Sequence, residues 1–288
     1  MAVRENLAGR VFDAANVLFM VLLSLLMTYP MLFILFGSIS DPAELIASGG
    51  VLWLPRGFNL RSYAEIARNG DIVSGYGNTL FYVAAGTALN TVLSLVAGYA
   101  LSRRWLFGSR TIMFLLVLTM FFSGGLIPSY LVVRSLGLYN SRWALILPAA
   151  VGTYNVILIK TYFASVPDSM EESAKIDGAN DLVILARIMS HLAAPVIAVV
   201  VLFNAVWHWN SWFAALIYLK DRGKYPLQLF LREILVQSQT RDSTDAIGTL
   251  ALNIKYATII VSTLPILLAY PFLQKYFVKG IMIGAVKG

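Results

Sequence analysis

Residues 14–40 read AANVLFMVLLSLLMTYPMLFILFGSIS and contain no charged side chain. A helix of about 20 such residues (range about 17–25) crosses the hydrocarbon core of a membrane. The run is far longer than the roughly 7–15 apolar residues at the centre of a cleaved signal peptide. Residues 14–38 therefore predict a membrane span that stays in the protein.

Five further stretches without charged residues follow along the chain. Of its 288 residues, 58% are hydrophobic and 13% are charged, about half of the roughly 25% that soluble domains carry. In lipid only helices and closed barrels satisfy the backbone, and these stretches lack the alternation of barrel strands. We predict an all-α membrane protein with six transmembrane helices, forming a single transmembrane domain over residues 1–288. The five further spans are predicted at 77–101, 111–133, 143–164, 191–217 and 250–274.

Composition argues against several kinds of site. The chain has no cysteine, which excludes disulfides and thiolate metal sites. Its two histidines, His191 and His208, have no neighbouring carboxylate in the sequence, so we expect no metal site. The net charge of +7 is ordinary for a protein whose basic residues flank membrane spans, and we expect no nucleic-acid partner.

The basic residues give a weak signal for orientation, because they divide evenly between the two sides of the predicted membrane domain. Short loops near span ends carry most weight in the positive-inside rule. The shortest loop contains Arg103, Arg104 and Arg110. We therefore predict that this loop and both termini are cytoplasmic.

The charged segment between the fourth and fifth spans is the most informative part of the sequence. Residues 166–181 read VPDSMEESAKIDGAND. Asp168 is a candidate N-cap for a helix, and Gly178 suits the left-handed residue that ends one. Asn180 or Asp181 can cap a second helix that leads into the fifth span. Residues 166–190 thus predict a helix–turn–helix loop that docks into a cleft on another protein, with an amphipathic connector as the alternative.

This segment resembles the coupling motif of the permeases of bacterial ABC importers. The family form is Glu-Ala-Ala, three residues, Gly, nine residues, then Ile-x-Leu-Pro. Here residues 172–174 read Glu-Ser-Ala, and Gly178 and Ile188 follow at the same spacing. Residues 190–191 are Ser-His in place of Leu-Pro, so the break before the fifth span is expected at Pro195.

Further stretches resemble the carbohydrate (maltose-type) branch of that family, and the resemblance covers nearly the whole chain. The most similar group handles oligomers of plant or algal polysaccharides, including pectin and alginate fragments. The matching stretches are residues 122–130, 134–138, 143–148, 208–213, 225–229 and 270–280.

The resemblance implies a permease subunit of an ATP-driven oligosaccharide importer in the bacterial inner membrane, with an acidic oligosaccharide as the expected substrate. It implies a heterodimer with a homologous second permease, two ATPase subunits that bind ATP and Mg²⁺, and an extracytoplasmic solute-binding protein. No cofactor is expected in this chain, which contains no G-x-x-x-x-G-K-[ST] phosphate loop. The residues expected to couple the chain to the ATPase are Glu171, Glu172, Ala174, Asp177 and Gly178.

Candidate residues of the substrate path lie at the end of the fifth span and in the fourth. Trp209 and Trp212 can stack on a sugar ring, and Asn210 can bond its hydroxyl groups. Tyr154 and Asn155 are polar groups inside a predicted span. The alternatives are an interfacial aromatic belt for the tryptophans and hydrogen bonds between helices for the polar residues.

Three other classes of membrane protein compete with the importer hypothesis. A secondary carrier usually has ionisable residues within its spans, yet residues 72–167 and 182–220 contain no Asp or Glu. A membrane-embedded enzyme needs a cluster of catalytic side chains, which the spans do not offer. A non-transporting scaffold subunit remains open at the level of sequence.

Overall fold

The computed structural model describes residues 7–47, 49–103, 105–239, 252–268 and residue 271. Regular structure in these ranges is helical throughout, without a β-strand, which confirms the predicted all-α fold. The α-helices are α1 Leu7–Ile39, α2 Pro42–Ala47, α3 Arg61–Arg68, α4 Gly70–Ser102, α5 Ser109–Phe121, α6 Leu126–Ser135, α7 Thr153–Ala164, α8 Asp168–Ile176, α9 Asp181–Val183, α10 Ser190–Leu192, α11 Ala194–Trp209, α12 Phe213–Tyr218, α13 Leu227–Gln239 and α14 Leu252–Leu268. Three 3-10 helices and one π-helix complete the described structure, at Arg142–Leu145, Leu147–Ala149, Arg222–Lys224 and Ile184–Met189.

In the part of the chain that the structure describes, two helices are continuous and apolar enough to cross a membrane, α1 and α4. α4 begins at Gly70 and is therefore longer than the predicted span 77–101. Three further predicted spans are bent helix pairs rather than single helices, and α14 is a shorter apolar helix within the predicted span 250–274. The predicted third, fourth and fifth spans thus each contain a bend that the sequence prediction did not specify. The bends measure 118° between α5 and α6, 45° before α7, and 87° between residues 192 and 194.

Each bend has a local cause in the sequence. Between α5 and α6 the chain leaves the helix at Phe122, and Gly125 has a φ of 82°, a conformation open to glycine. Before α7, Gly152 is extended with a ψ of 114°. Pro195 lies in the first turn of α11, where its missing N–H costs no helical hydrogen bond. The break after Leu192 confirms the expected displacement to Pro195.

The described residues form two compact units. The first combines the chain up to Asn69 with Glu233–Thr263. Within it, Asn253 Nδ2 of α14 donates to Ser40 O at 2.7 Å, and Ser38 Oγ lies 2.7 Å from Tyr63 Oη. Side chains along α1 are otherwise mostly exposed, as suits a helix that faces lipid or a partner.

The second unit comprises Gly70–Arg232 and the residues from Leu264 onward, and it contains all the candidate site residues. Its centre is α4, which packs along α7 and α11. At Gly98 an added Cβ would lie 2.6 Å from Ile159 Cγ2, so α4 and α7 approach too closely for any larger residue. Small residues at helix contacts are typical of membrane bundles.

Candidate functional site

The charged segment between the fourth and fifth spans folds as two helices separated by a glycine turn. α8 begins at Asp168, and its N-cap is Pro167, so the prediction that Asp168 is the cap was wrong by one residue. Pro167 keeps an extended ψ of 135° and turns the chain into the helix one position earlier. Asp168 and Glu171 lie in the first turn, where the helix dipole favours negative charge.

The turn after α8 is a complete Schellman motif. Gly178 has a φ of +81°, as expected for the left-handed residue that ends a helix. The Gly178 N–H donates to Lys175 O at 3.0 Å, and the Ala179 N–H donates to Ala174 O at 3.0 Å. The Asn180 side chain then accepts from Val183 N at 2.9 Å and caps α9. This geometry confirms Gly178 as the helix stop and chooses Asn180 over Asp181 as the cap.

The predicted coupling residues divide into a buried pair and an exposed set. Of the nine residues of α8, only Glu171 and Ala174 are buried. Ala174 packs in a cluster with Tyr99, Phe163 and Ile184. The outward-facing residues of the loop include two large apolar side chains, Ile176 and Leu182, which are 86% and 73% exposed. Also exposed are Glu172, Asp177 and Gly178.

Glu171 is the centre of a charged network that sequence reasoning missed. Its Oε2 lies 2.7 Å from Arg103 Nη1, and both side chains are at least nine-tenths buried. Its Oε1 lies 2.8 Å from Lys175 Nζ, which also lies 3.3 Å from Asp181 Oδ1. The hydrogen bond that the Lys175 ammonium donates to Glu171 is the main cause that raises the pKa of Lys175 above its usual value. The network joins α8 to the end of α4 and to the start of α9.

A cavity of about 590 Å³ opens beside this network. Arg103 and Lys175 line it together with the acidic Asp168 and Glu172. Trp105 lies at the same cavity, with its ring centroid 5.9 Å from Lys175 Nζ. Polar and aromatic side chains thus surround the exposed side of α8, a surface chemistry suited to a polar protein partner.

Three of the predicted substrate-path residues line one larger cavity, of about 1080 Å³. Trp209 is buried, with its ring 6.2 Å from that of Tyr76, whereas Trp212 is half-buried beneath the Arg232 guanidinium at 3.7 Å. Asn210 donates from Nδ2 to Val206 O at 2.8 Å. The cavity walls are mostly apolar, with these aromatic rings at one end. Such a lining offers ring faces for stacking and few fixed charges.

The other two predicted substrate-path residues do not themselves line that cavity, although Phe203, which does, lies beside Tyr154. Tyr154 is exposed, with its ring 6.3 Å from that of Phe203. Asn155 is buried, and its Nδ2 donates to Asn90 Oδ1 at 3.2 Å and to Asn204 Oδ1 at 3.0 Å. These bonds support the alternative that polar residues inside the spans link helices.

The buried asparagine network joins three helices of the bundle. Asn204 Nδ2 donates to Asn90 Oδ1 at 3.0 Å, and Asn90 Nδ2 donates to Ala149 O at 2.9 Å. Asn90 belongs to α4, Asn155 to α7 and Asn204 to α11. All three amides are thereby held by hydrogen bonds in an apolar interior, where an unpaired amide would be costly.

Comparison with known proteins gives a family for this arrangement. Residues 90–283 match the family described as the binding-protein-dependent transport system inner membrane component. The chain belongs to this family. The matched range contains residues 166–190, the three asparagines of the buried network, and Trp209, Asn210 and Trp212.

Two relatives from Bacillus subtilis (strain 168) match over nearly their full lengths. The polygalacturonan/rhamnogalacturonan transport system permease protein YtcP is 41% identical over 97% of this chain and 99% of its own length. Protein LplC is 42% identical over 98% of this chain and 96% of its own length.

A solved structure also superimposes on almost the whole chain. It belongs to a bacterial ABC transporter involved in the import of the acidic polysaccharide alginate. The TM-score is 0.87 at 32% identity, with 94% of this chain and 98% of the other covered. The fold is therefore that of an ABC importer permease.

Family membership decides between the classes that the sequence left open. The chain is a transport subunit of the inner membrane and not itself an ATPase. The secondary carrier, the membrane-embedded enzyme and the non-transporting scaffold are accordingly set aside.

Proposed function

We propose that this chain is one of two permeases of an ATP-driven importer for acidic oligosaccharides derived from pectin or alginate. The observation that carries the proposal is the joint likeness to a polygalacturonan/rhamnogalacturonan permease and to an alginate importer over nearly the whole chain. Both of those named polymers are rich in uronic acids. A shared acidic substrate class is the simplest account of the two likenesses.

The second permease, two ATPase subunits and a solute-binding protein complete the proposed importer, with Mg²⁺ and ATP on the ATPase subunits. In this arrangement α8 and the turn at Gly178 dock on one ATPase. Glu172 and Asp177 are exposed and free to meet basic groups, and the exposed Ile176 adds apolar area. Glu171 and Ala174 act from inside, holding α8 against the bundle. Both termini then lie in the cytoplasm.

Trp209, Asn210 and Trp212 are the best candidates for sugar contacts within this chain, because they share the larger cavity. Aromatic rings stack on the apolar face of a sugar ring, and the Asn210 side chain supplies polar atoms in the same cavity. Arg232, stacked on Trp212, places a positive charge beside this group, which favours an anionic sugar. Tyr154 and Asn155 are weaker candidates, since neither lines this cavity.

The test of the proposal is substrate stimulation in the reconstituted importer. The complete complex is placed in lipid nanodiscs, and ATP hydrolysis is measured with its binding protein loaded in turn with galacturonate, alginate or neutral malto-oligosaccharides. We expect uronate oligosaccharides to stimulate hydrolysis and the neutral series to leave it at the basal rate. Stimulation by the neutral series alone would overturn the acidic substrate class.

A further inference from the structure

Few side chains of α8 contact the rest of the bundle. α8 has nine residues, and only Glu171 and Ala174 turn inward. Ala174 contributes a single methyl group to the cluster around Phe163 and Ile184. Glu171 contributes a buried charged contact, to Arg103 at 2.7 Å, and the more exposed Lys175 contributes a second, to Asp181 of α9 at 3.3 Å.

Arg103 is fixed to α4 rather than to α8. It follows directly after Ser102, the last residue of α4, and its N–H donates to Ala100 O at 3.2 Å. Its guanidinium lies 4.7 Å from the centroid of the Tyr99 ring, one turn back on the same helix. A guanidinium held over an aromatic face has a defined position and does not swing freely. Glu171 therefore meets a rigid extension of α4.

α4 connects this contact to the opposite end of the second unit. Its 33 residues correspond to a rod of about 50 Å, at roughly 1.5 Å per residue. Near its start, Asn78 Nδ2 donates to Gly223 O at 2.9 Å and Tyr82 Oη donates to Lys224 O at 2.7 Å. In between, Asn90 joins α4 to α7 and α11. α4 thus links Arg103 to hydrogen bonds in the middle and at the far end of the second unit.

We propose that the Arg103–Glu171 ion pair is the contact through which movement of α8 on the ATPase reaches α4. The inference rests on the proposed docking of α8. Arg103 and Glu171 are positioning residues, since both lie beneath the docking surface rather than on it. The second partner of Glu171, Lys175, is partly exposed and also bridges to Asp181, so it orients the carboxylate within the loop. Within this charged network Arg103 is the residue that leads into α4, beside the apolar packing of Ala174 in the cluster that contains Tyr99.

The experiment separates coupling from folding by comparing single and double variants of the assembled importer. Glu171→Gln leaves the buried Arg103 without its carboxylate, and Arg103→Met leaves the buried Glu171 paired with Lys175 alone, so each single variant is expected to destabilise the protein. The double variant Arg103→Met/Glu171→Gln removes both charges, and such replacements are often neutral for stability. If the pair served stability alone, the double variant would regain normal behaviour. If the pair transmits movement, the double variant regains stability but stays uncoupled.

The measured quantity is sugar transported per ATP hydrolysed, in proteoliposomes with a binding protein loaded with galacturonate oligosaccharides, normalised to the amount of assembled complex. We expect the ratio to fall at least about fivefold in the double variant, the lower end of typical coupling between sites. Arg103→Lys keeps the charge and should recover part of the ratio. Glu65→Gln removes an exposed acidic charge on α3, outside this network, and serves as the control with an unchanged ratio.

Two failures are distinguishable. If no ATPase assembles with the unaltered chain, the proposed function fails. If the unaltered complex couples normally and the double variant keeps the same ratio of sugar to ATP, the proposed function stands and the role of the ion pair is refuted.

Discussion

Replacing Gly178 separates the docking function of the loop from its folding. An added Cβ at this position meets no atom within 4 Å, so a larger side chain finds space inside the chain. The cost is conformational, because a φ of +81° is unfavourable for residues with a Cβ and costs roughly 1–2 kcal/mol. A penalty of that size leaves most domains folded. The side chain then projects from the turn that we propose to enter a groove of the ATPase.

We therefore expect Gly178→Asp to reach the membrane at near-normal levels, with thermal unfolding in detergent shifted only slightly. Co-purification of the ATPase and sugar uptake should both be lost. Gly178→Asn is the matched variant with less backbone strain, since asparagine tolerates the left-handed region better. It should unfold close to the unaltered chain and still bind ATPase poorly. The effect of both variants thus lies in docking.

Gly98→Ala provides the opposite case. Its added methyl group would lie 2.6 Å from Ile159 Cγ2 and 3.1 Å from Lys160 N, between α4 and α7. Overpacking of this kind costs about 1–3 kcal/mol, so this variant should lose stability and membrane yield together.

Normal uptake by Gly178→Asp would refute the assignment of residues 166–190 as the coupling loop. A Gly178→Asp chain that fails to accumulate would refute the argument that the turn has room for a side chain.

Three further outcomes are expected. Asn204→Leu removes two hydrogen bonds of the buried asparagine network and should lower the free energy of unfolding in detergent by about 1–3 kcal/mol, whereas Ser24→Ala on the exposed face of α1 should leave it unchanged. Trp212→Ala should reduce uptake several-fold with ATPase co-purification intact, whereas Trp53→Ala, at an exposed position, should leave both uptake and co-purification unchanged. Loss of ATPase binding in Trp212→Ala would contradict a role in the substrate path. The pKa of Lys175 lies above its ordinary 10.5 because Glu171 accepts its hydrogen bond, so the stabilisation is complete below that pH and is lost only as the pH rises through the raised pKa. The rate of amide hydrogen exchange in residues 168–181, corrected for intrinsic rates, should therefore not change with pH below the raised pKa of Lys175. In Lys175→Met this exchange should be faster over the whole pH range.

The sequence predicted the helical class because it depends on local composition. Charge-free stretches mark membrane segments regardless of how the backbone bends within them. For the same reason hydropathy missed the bends. The left-handed Gly125 and the extended Gly152 break spans without introducing any charge. Only the break at Pro195 had a visible signal, from the departure at residues 190–191.

The candidate site likewise contains features that local sequence predicts and contacts that depend on how the helices pack. The glycine stop and the Asn180 cap were readable, since each is decided by residues within one turn. Arg103 and Glu171 come from distant parts of the chain, so the local sequence around either residue does not predict their ion pair. In the sequence, Arg103 is visible only as a charge at the very end of a long apolar stretch. That position indicates the orientation of the span and not an ion-pair partner. The asparagines within the spans were visible singly, but their meeting depends on how α4, α7 and α11 pack.

In the proposed importer, α8 and its glycine turn dock on a separate ATPase. The most direct measurement is gentle extraction of the tagged chain from its native membrane, followed by identification of what co-purifies and by photo-crosslinking from position 172. The chain has no cysteine to confound a crosslinker placed there. We predict that an ATPase subunit and a second, similar permease co-purify, and that the crosslink from position 172 reaches the ATPase. A chain that emerges alone, with no ATPase captured by the crosslinker, would contradict the account.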